Sequence, residues 1–127
     1  MAASITVTSV DNTQNSLVVF GTIALSGNYG GGATHGDTLS FAGQELIKSF
    51  SVPLSVRIFE APAAGASASG YVWSFSPGST IANGVLQAFT SNGAAPAALL
   101  EYPQGTGYQA SQTNAALKFE AWFPSFV

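Results

Sequence analysis

The chain contains no cysteine, so it forms neither a disulfide framework nor a thiolate metal site. Charge is scarce as well. Only 7% of the 127 residues are Asp, Glu, Lys or Arg, against roughly a quarter in an ordinary soluble domain. The three bases are Lys48, Arg57 and Lys118. Cations so few, on separate segments, cannot neutralise a run of phosphates, which excludes a nucleic-acid-binding role. No long apolar run exists either. The strongest stretch, Leu17 to Leu25, is broken by Gly21 and Thr22 and falls far short of the about 20 residues that a membrane-spanning helix needs. Met1 to Val7 lacks the basic and unbroken apolar regions of a secretory signal. Scarce charge is not disorder, because 46% of the residues are hydrophobic and disordered chains are poor in them. The length suits one domain with one core, spanning residues 1–127. A surface with so few charges has little electrostatic protection against self-association, so much of it is expected to be covered by partner subunits or to be neutral and hydroxyl-rich.

What is present favours strands. Val, Ile, Thr and aromatic residues occur in short runs, separated by Gly, Pro, Asn and Ser clusters at intervals of about 8–15 residues. Ile5 to Val10 alternates apolar and polar. Leu17 to Leu25 is apolar on both faces, as in a central strand, with Gly21 marking a bulge or a close backbone approach. Thr38 to Phe41 reads as a short strand, and Gln44 to Ser49 as one helical turn or a connector. In Leu54 to Glu60, Leu54, Val56 and Ile58 share one face and Arg57 lies on the other. Tyr71 to Phe75 puts Tyr71, Trp73 and Phe75 on one face, and Gly84 to Phe89 returns beside it. Ala98 to Tyr102 is short, and Ala116 to Phe123 closes the domain. In that last strand Leu117, Phe119, Ala121 and Phe123 face the core, opposite Lys118, Glu120 and Trp122. Ala61 to Ser69 is a low-complexity loop, and Gln104 to Gln112 is read as another. The pattern predicts an all-β fold: an antiparallel β-sandwich or jelly-roll-like single domain of about eight short strands.

No catalytic constellation emerges. The glycine-rich segment Ser26 to Asp37 lacks the Lys-Ser/Thr of a phosphate loop, and Asp37 would repel phosphate. His35 is the only histidine. With Asp37 it supplies too few ligands for a catalytic zinc, and no Gly-x-Ser-x-Gly elbow offers a nucleophile. Glu60, Glu101 and Glu120 show no pairing across a cleft of the kind glycosidases need; Glu120 instead suits cross-strand pairing with Lys118 or Arg57. We therefore expect no enzyme, no catalytic or metal site and no cofactor. The aromatics are more telling. Trp122 is either on the second face of a buried sheet or exposed. The ending Trp122 to Val127, with Phe126, is apolar enough to dock in its own core or on a neighbour. Exposed aromatics such as Tyr29 or Trp122 also suit stacking on sugars, which keeps a carbohydrate-binding module as an alternative.

The order of several pieces resembles a known family. Phe20-Gly21-Thr22-Ile23 leads through Ser26-Gly27-Asn28-Tyr29 to Gly36-Asp37-Thr38-Leu39. Tyr71-Val72-Trp73, Ser76-Pro77-Gly78-Ser79-Thr80, Ala82-Asn83-Gly84 and Leu86-Gln87-Ala88-Phe89 follow, then Tyr102-Pro103 and Phe119-Glu120-Ala121-Trp122-Phe123. Across residues 17–123 this is similar to capsid decoration (cement) proteins of tailed bacteriophages. The sequence departs from that pattern in Gly30-Gly31-Gly32 and in Ala61 to Ser69. The resemblance implies a virion structural protein made in the host cytoplasm without a signal peptide. It would bind the major capsid protein on the outside of the head, associate with itself as a homotrimer, and have no nucleic-acid or membrane partner. Tyr29, Trp122 and Phe126 are the candidate interface residues. A tail or baseplate component is the alternative among virion proteins.

Overall fold

A computed structural model describes residues 3–12, 16–30, 35–45, 47, 51–61, 70–90, 99–103, 105–113 and 116–124. Among the described residues, eight strands and one short helix follow in chain order: β1 (Ala3–Asn12), β2 (Ser16–Leu25), β3 (Asp37–Leu39), β4 (Ser55–Glu60), β5 (Val72–Ser76), β6 (Gly84–Thr90), β7 (Leu100–Glu101), α1 (Ala110–Thr113) and β8 (Leu117–Pro124). One sheet has the order β1-β2-β8-β4; the other runs β3-β6-β5, with β7 pairing β6. Every pairing is antiparallel. The fold is an all-β sandwich. Strand β8 is inserted between β2 and β4, and β6 between β3 and β5, an interleaving that gives the sandwich its jelly-roll-like character.

Period-two alternation explains why the sheets close on each other. Leu17, Val19 and Ile23 of β2 and Leu117, Phe119, Ala121 and Phe123 of β8 are buried in one core cluster with Trp73, Leu86 and Ala88 from the opposite sheet. Val56 and Ile58 of β4, Phe75 of β5 and Tyr71 just before it pack against that cluster, as the alternation predicts. Gly21 is a close approach. A Cβ there would fall 2.2 Å from the Thr6 carbonyl oxygen and 2.6 Å from the Phe119 ring. The irregularity lies across from it in β1, where the register slips between Val7 and Ser9. The intervening Thr8 donates its hydroxyl to the Phe20 carbonyl at 3.1 Å, in keeping with a β-bulge.

Several local expectations are corrected. Leu54 does not share the core face of β4: the strand begins at Ser55, and Leu54 is 67% exposed, because the sandwich edge is open where the chain enters the sheet. Phe41 lies beyond β3, yet it is buried at the centre of the domain. The expected loop Gln104 to Gln112 contains the start of α1. Ile47 N–H donates to Gln44 C=O at 3.1 Å, a single turn. Residues 62–69, most of the Ala/Ser-rich segment, lie outside the described residues, as do Ser125, Phe126 and Val127.

Candidate interaction surface

Tyr29 sits inside the domain. The chain around it is tied to the segment before α1: Tyr29 N–H donates to Thr106 C=O at 2.9 Å, Gly105 N–H to Tyr29 C=O at 2.7 Å, and Tyr108 N–H to Gly27 C=O at 3.1 Å. Its ring meets those of Tyr102 and Tyr108 edge-on, with centroids 5.5 and 5.8 Å away. Its hydroxyl donates to Glu101 Oε1 at 2.8 Å and accepts from Ala88 N–H at 3.1 Å. Fully buried, Tyr29 presents no surface to a sugar or a subunit, and the expectation that it is an interface residue is corrected. Local sequence could not show this, because the rings that bury it come from a distant segment.

The acids nearby complete a structural network. Asp37, 2% exposed, accepts Gly30 N–H at 2.9 Å on Oδ1 and the Tyr108 hydroxyl on Oδ2. Gly36, before it, has φ +79°, and a Cβ there would fall 2.3 Å from the Leu86 carbonyl oxygen, so glycine is required for two reasons. His35 is not paired with Asp37; its Nδ1 lies 3.3 Å from Glu101 Oε2 and its side chain is 69% exposed. Two carboxylates thus flank the glycine-rich loop where a phosphate cradle would need cations. Glu60 accepts the Trp73 indole N–H at 2.9 Å.

This network has an expected alkaline signature. Burial pushes the Tyr29 and Tyr108 hydroxyls far above the ordinary phenol range, and the carboxylates of Glu101 and Asp37 push the same way, against a smaller opposing effect of Ala88 N–H on Tyr29. The unfolded chain ionises these phenols near pH ~10. The folded state holds its protons longer, so the stability is complete below about pH 10 and is lost as pH rises above it. Urea midpoints should be level from about pH 7 to 9 and fall above about 10, with the phenolate absorbance of Tyr29 and Tyr108 appearing only as the protein unfolds. Ionisation of both with the native fold intact would contradict the network.

The surface that faces outward with interface-like chemistry is the outer side of the first sheet. Val18, Trp122 and Ser55 lie in one cross-strand row; Phe20, Glu120 and Arg57 form the next; Thr22, Lys118 and Phe59 form the third. Trp122 is 39% and Phe20 38% exposed. The Trp122 indole N–H donates to Glu120 Oε1 at 2.9 Å, which fixes the ring on the sheet. Val18 is buried yet is not part of the core cluster; it lies on the outer side with Trp122 as its cross-strand neighbour. The Arg57 guanidinium carbon lies 5.1 Å from the Phe59 ring centroid, a cation–π contact. Both cations among the described residues, Arg57 and Lys118, are in these rows.

Of the predicted interface residues, Trp122 is on this face, Tyr29 is in the core, and Phe126 lies outside the described residues. Phe20 and Phe59 were missed as surface partners, although Phe20 shares the parity of Val18, and Phe59 that of Arg57. Among the described residues no group of three His, Cys, Asp or Glu side chains could hold a metal ion, and no helix is long and apolar enough to cross a membrane. No family model, curated protein or solved structure matches the chain.

Proposed function

We propose that this protein is a capsid decoration protein of a tailed bacteriophage, which docks the outer face of its β1-β2-β8-β4 sheet on the outside of the assembled head. The observation that carries the reading is the set of Trp122, Phe20, Phe59 and Arg57 on one outward sheet face. Aromatic residues and arginine are the residue types that dominate interface energetics, and Glu120 and Lys118 share the face with them. The low charge content and the order of motifs across residues 17–123 support the same conclusion. The partner is the major capsid protein, and the chain associates with itself as a homotrimer at local threefold positions. Binding only to assembled subunits adds its free energy to shell stability by linkage, and an oligomer on a lattice of repeated sites gains avidity.

Replacing Trp122 tests the docking face. Trp122→Ala should weaken binding to undecorated heads by at least about 30-fold, the effect of losing one hot-spot residue, while the far-ultraviolet circular dichroism spectrum is retained. Unchanged head binding would place the docking surface elsewhere. Binding of the parent protein to a glycan, lost in Trp122→Ala, would assign the same face to a carbohydrate, and binding to isolated tails would assign it to a tail or baseplate.

A further inference from the structure

The outer face of the β1-β2-β8-β4 sheet is uneven in charge. The protein has a net charge of −3 and three bases, and two of those bases, Arg57 and Lys118, stand exposed on this face on the neighbouring strands β4 and β8. The acid Asp11 is at the opposite corner, in the row that runs through Val18 to Trp122. Strand spacing and rise place it about 16 Å from Lys118, well beyond the Debye length of about 8 Å at physiological salt. Its charge is screened from the two cations.

Neither cation has an acidic partner among the described residues, where the one ion pair joins His35 to Glu101. Glu120 is the register partner of Arg57, but its Oε1 accepts the Trp122 indole N–H. The Arg57 guanidinium instead lies 5.1 Å from the ring centroid of Phe59, and Phe59 is the register partner of Lys118. Arg57 is thereby held toward the row that carries Lys118. A ring contact engages the charge of the guanidinium and leaves its N–H fork for oxygen acceptors, which a carboxylate supplies in matching geometry. Two cations and one acid give this end of the face a net positive charge, in a protein that is acidic as a whole.

We propose that the Arg57–Lys118 end of this face receives carboxylates of the capsid partner, so that the head surface opposite it is acidic. The inference rests on the docking reading above and adds the chemistry of the partner's surface. Trp122 and Phe20 supply the apolar contact, and the two cations orient the protein on the head. Exposed charges at an interface speed the encounter and fix its register more than they add affinity. Arg57 carries the directional part, because its planar fork matches a carboxylate, and Lys118 acts as a point charge beside it.

Binding to undecorated heads at two salt concentrations tests this. Arg57→Gln and Lys118→Gln each remove one exposed charge. Each should weaken binding about fivefold at about 50 mM NaCl, chiefly through slower association, and by less than about twofold at about 500 mM. Ser76→Glu makes the same change of net charge at an exposed position of β5, in the other sheet, and should bind as the parent does. Equal weakening by Ser76→Glu would trace the effect to net charge and overturn the inference. Parent-like binding of both Gln variants at low salt would overturn it too; if Trp122→Ala still weakened binding, the docking face would stand without an acidic partner. Failure of the parent to bind heads would overturn the docking reading and this inference together. Retention of the parent on acidic glycans without head binding would assign the cations to a sugar acid, with the same consequence.

Discussion

Phe41→Ala is expected to lower the stability of the fold by about 3–5 kcal/mol, the range for removing a large aromatic from a packed core. Phe41 is 1% exposed. Its ring meets Phe75 at 5.7 Å, Phe119 at 5.3 Å and Phe123 at 5.5 Å, all edge-on. Phe75 belongs to the second sheet, and Phe119 and Phe123 to the first, so a single side chain from a connecting segment joins both layers. The backbone there is anchored by the Phe41 N–H to Ile81 C=O bond of 3.1 Å, so the segment cannot readily collapse into the space left by truncation. Phe41→Leu, which keeps most of the volume, should cost no more than about 1.5 kcal/mol. Urea midpoints of the two variants decide the matter. A loss below about 1 kcal/mol for Phe41→Ala would mean that the sheets are held together without this contact.

Asp37→Ala should cost about 2–4 kcal/mol, for a different reason. The carboxylate takes the Gly30 N–H and the Tyr108 hydroxyl. Its removal leaves two donors without their acceptor in a place shielded from water, at about 1–3 kcal/mol for each buried group. The coupling identifies the mechanism. Tyr108→Phe should be destabilising in the parent and nearly neutral in Asp37→Ala, because in that variant the hydroxyl has already lost its partner. Simple additivity of the two substitutions would contradict the network and reduce Asp37 to a packing residue.

These two residues also show which parts of the fold were legible in the sequence. Strand β8 was readable because Leu117, Phe119, Ala121 and Phe123 alternate with Lys118, Glu120 and Trp122 without an interrupting glycine, and one buried face makes that register unambiguous. Gly21 was readable as a special position because a glycine in a strand interior has few structural reasons to be there. Phe41 and Tyr29 were not readable as core residues. Phe41 follows the alternation of Thr38-Leu39-Ser40 but lies beyond the paired part of β3, so its place between the sheets was not readable. Tyr29 lies in a connecting segment where no period marks the inside, and its hydroxyl meets Glu101 at a separation of 72 residues. Leu54 was misassigned because alternation does not say where the neighbouring sheet stops. The proposed docking face was half legible: parity set Trp122 apart from the core and Glu120 was expected opposite Arg57, which is its register partner, but only the insertion of β8 between β2 and β4 brings Phe20 into the same row. The order of strands in the sheet depends on tertiary structure, and local residue patterns do not encode it.

Cosedimentation of the parent protein with undecorated heads, together with a glycan array, tests the functional conclusion most directly. Saturable binding at a whole-number copy ratio per shell, with a higher melting temperature of the decorated heads and no glycan retained on the array, is the predicted result. A glycan hit with no head binding would contradict it.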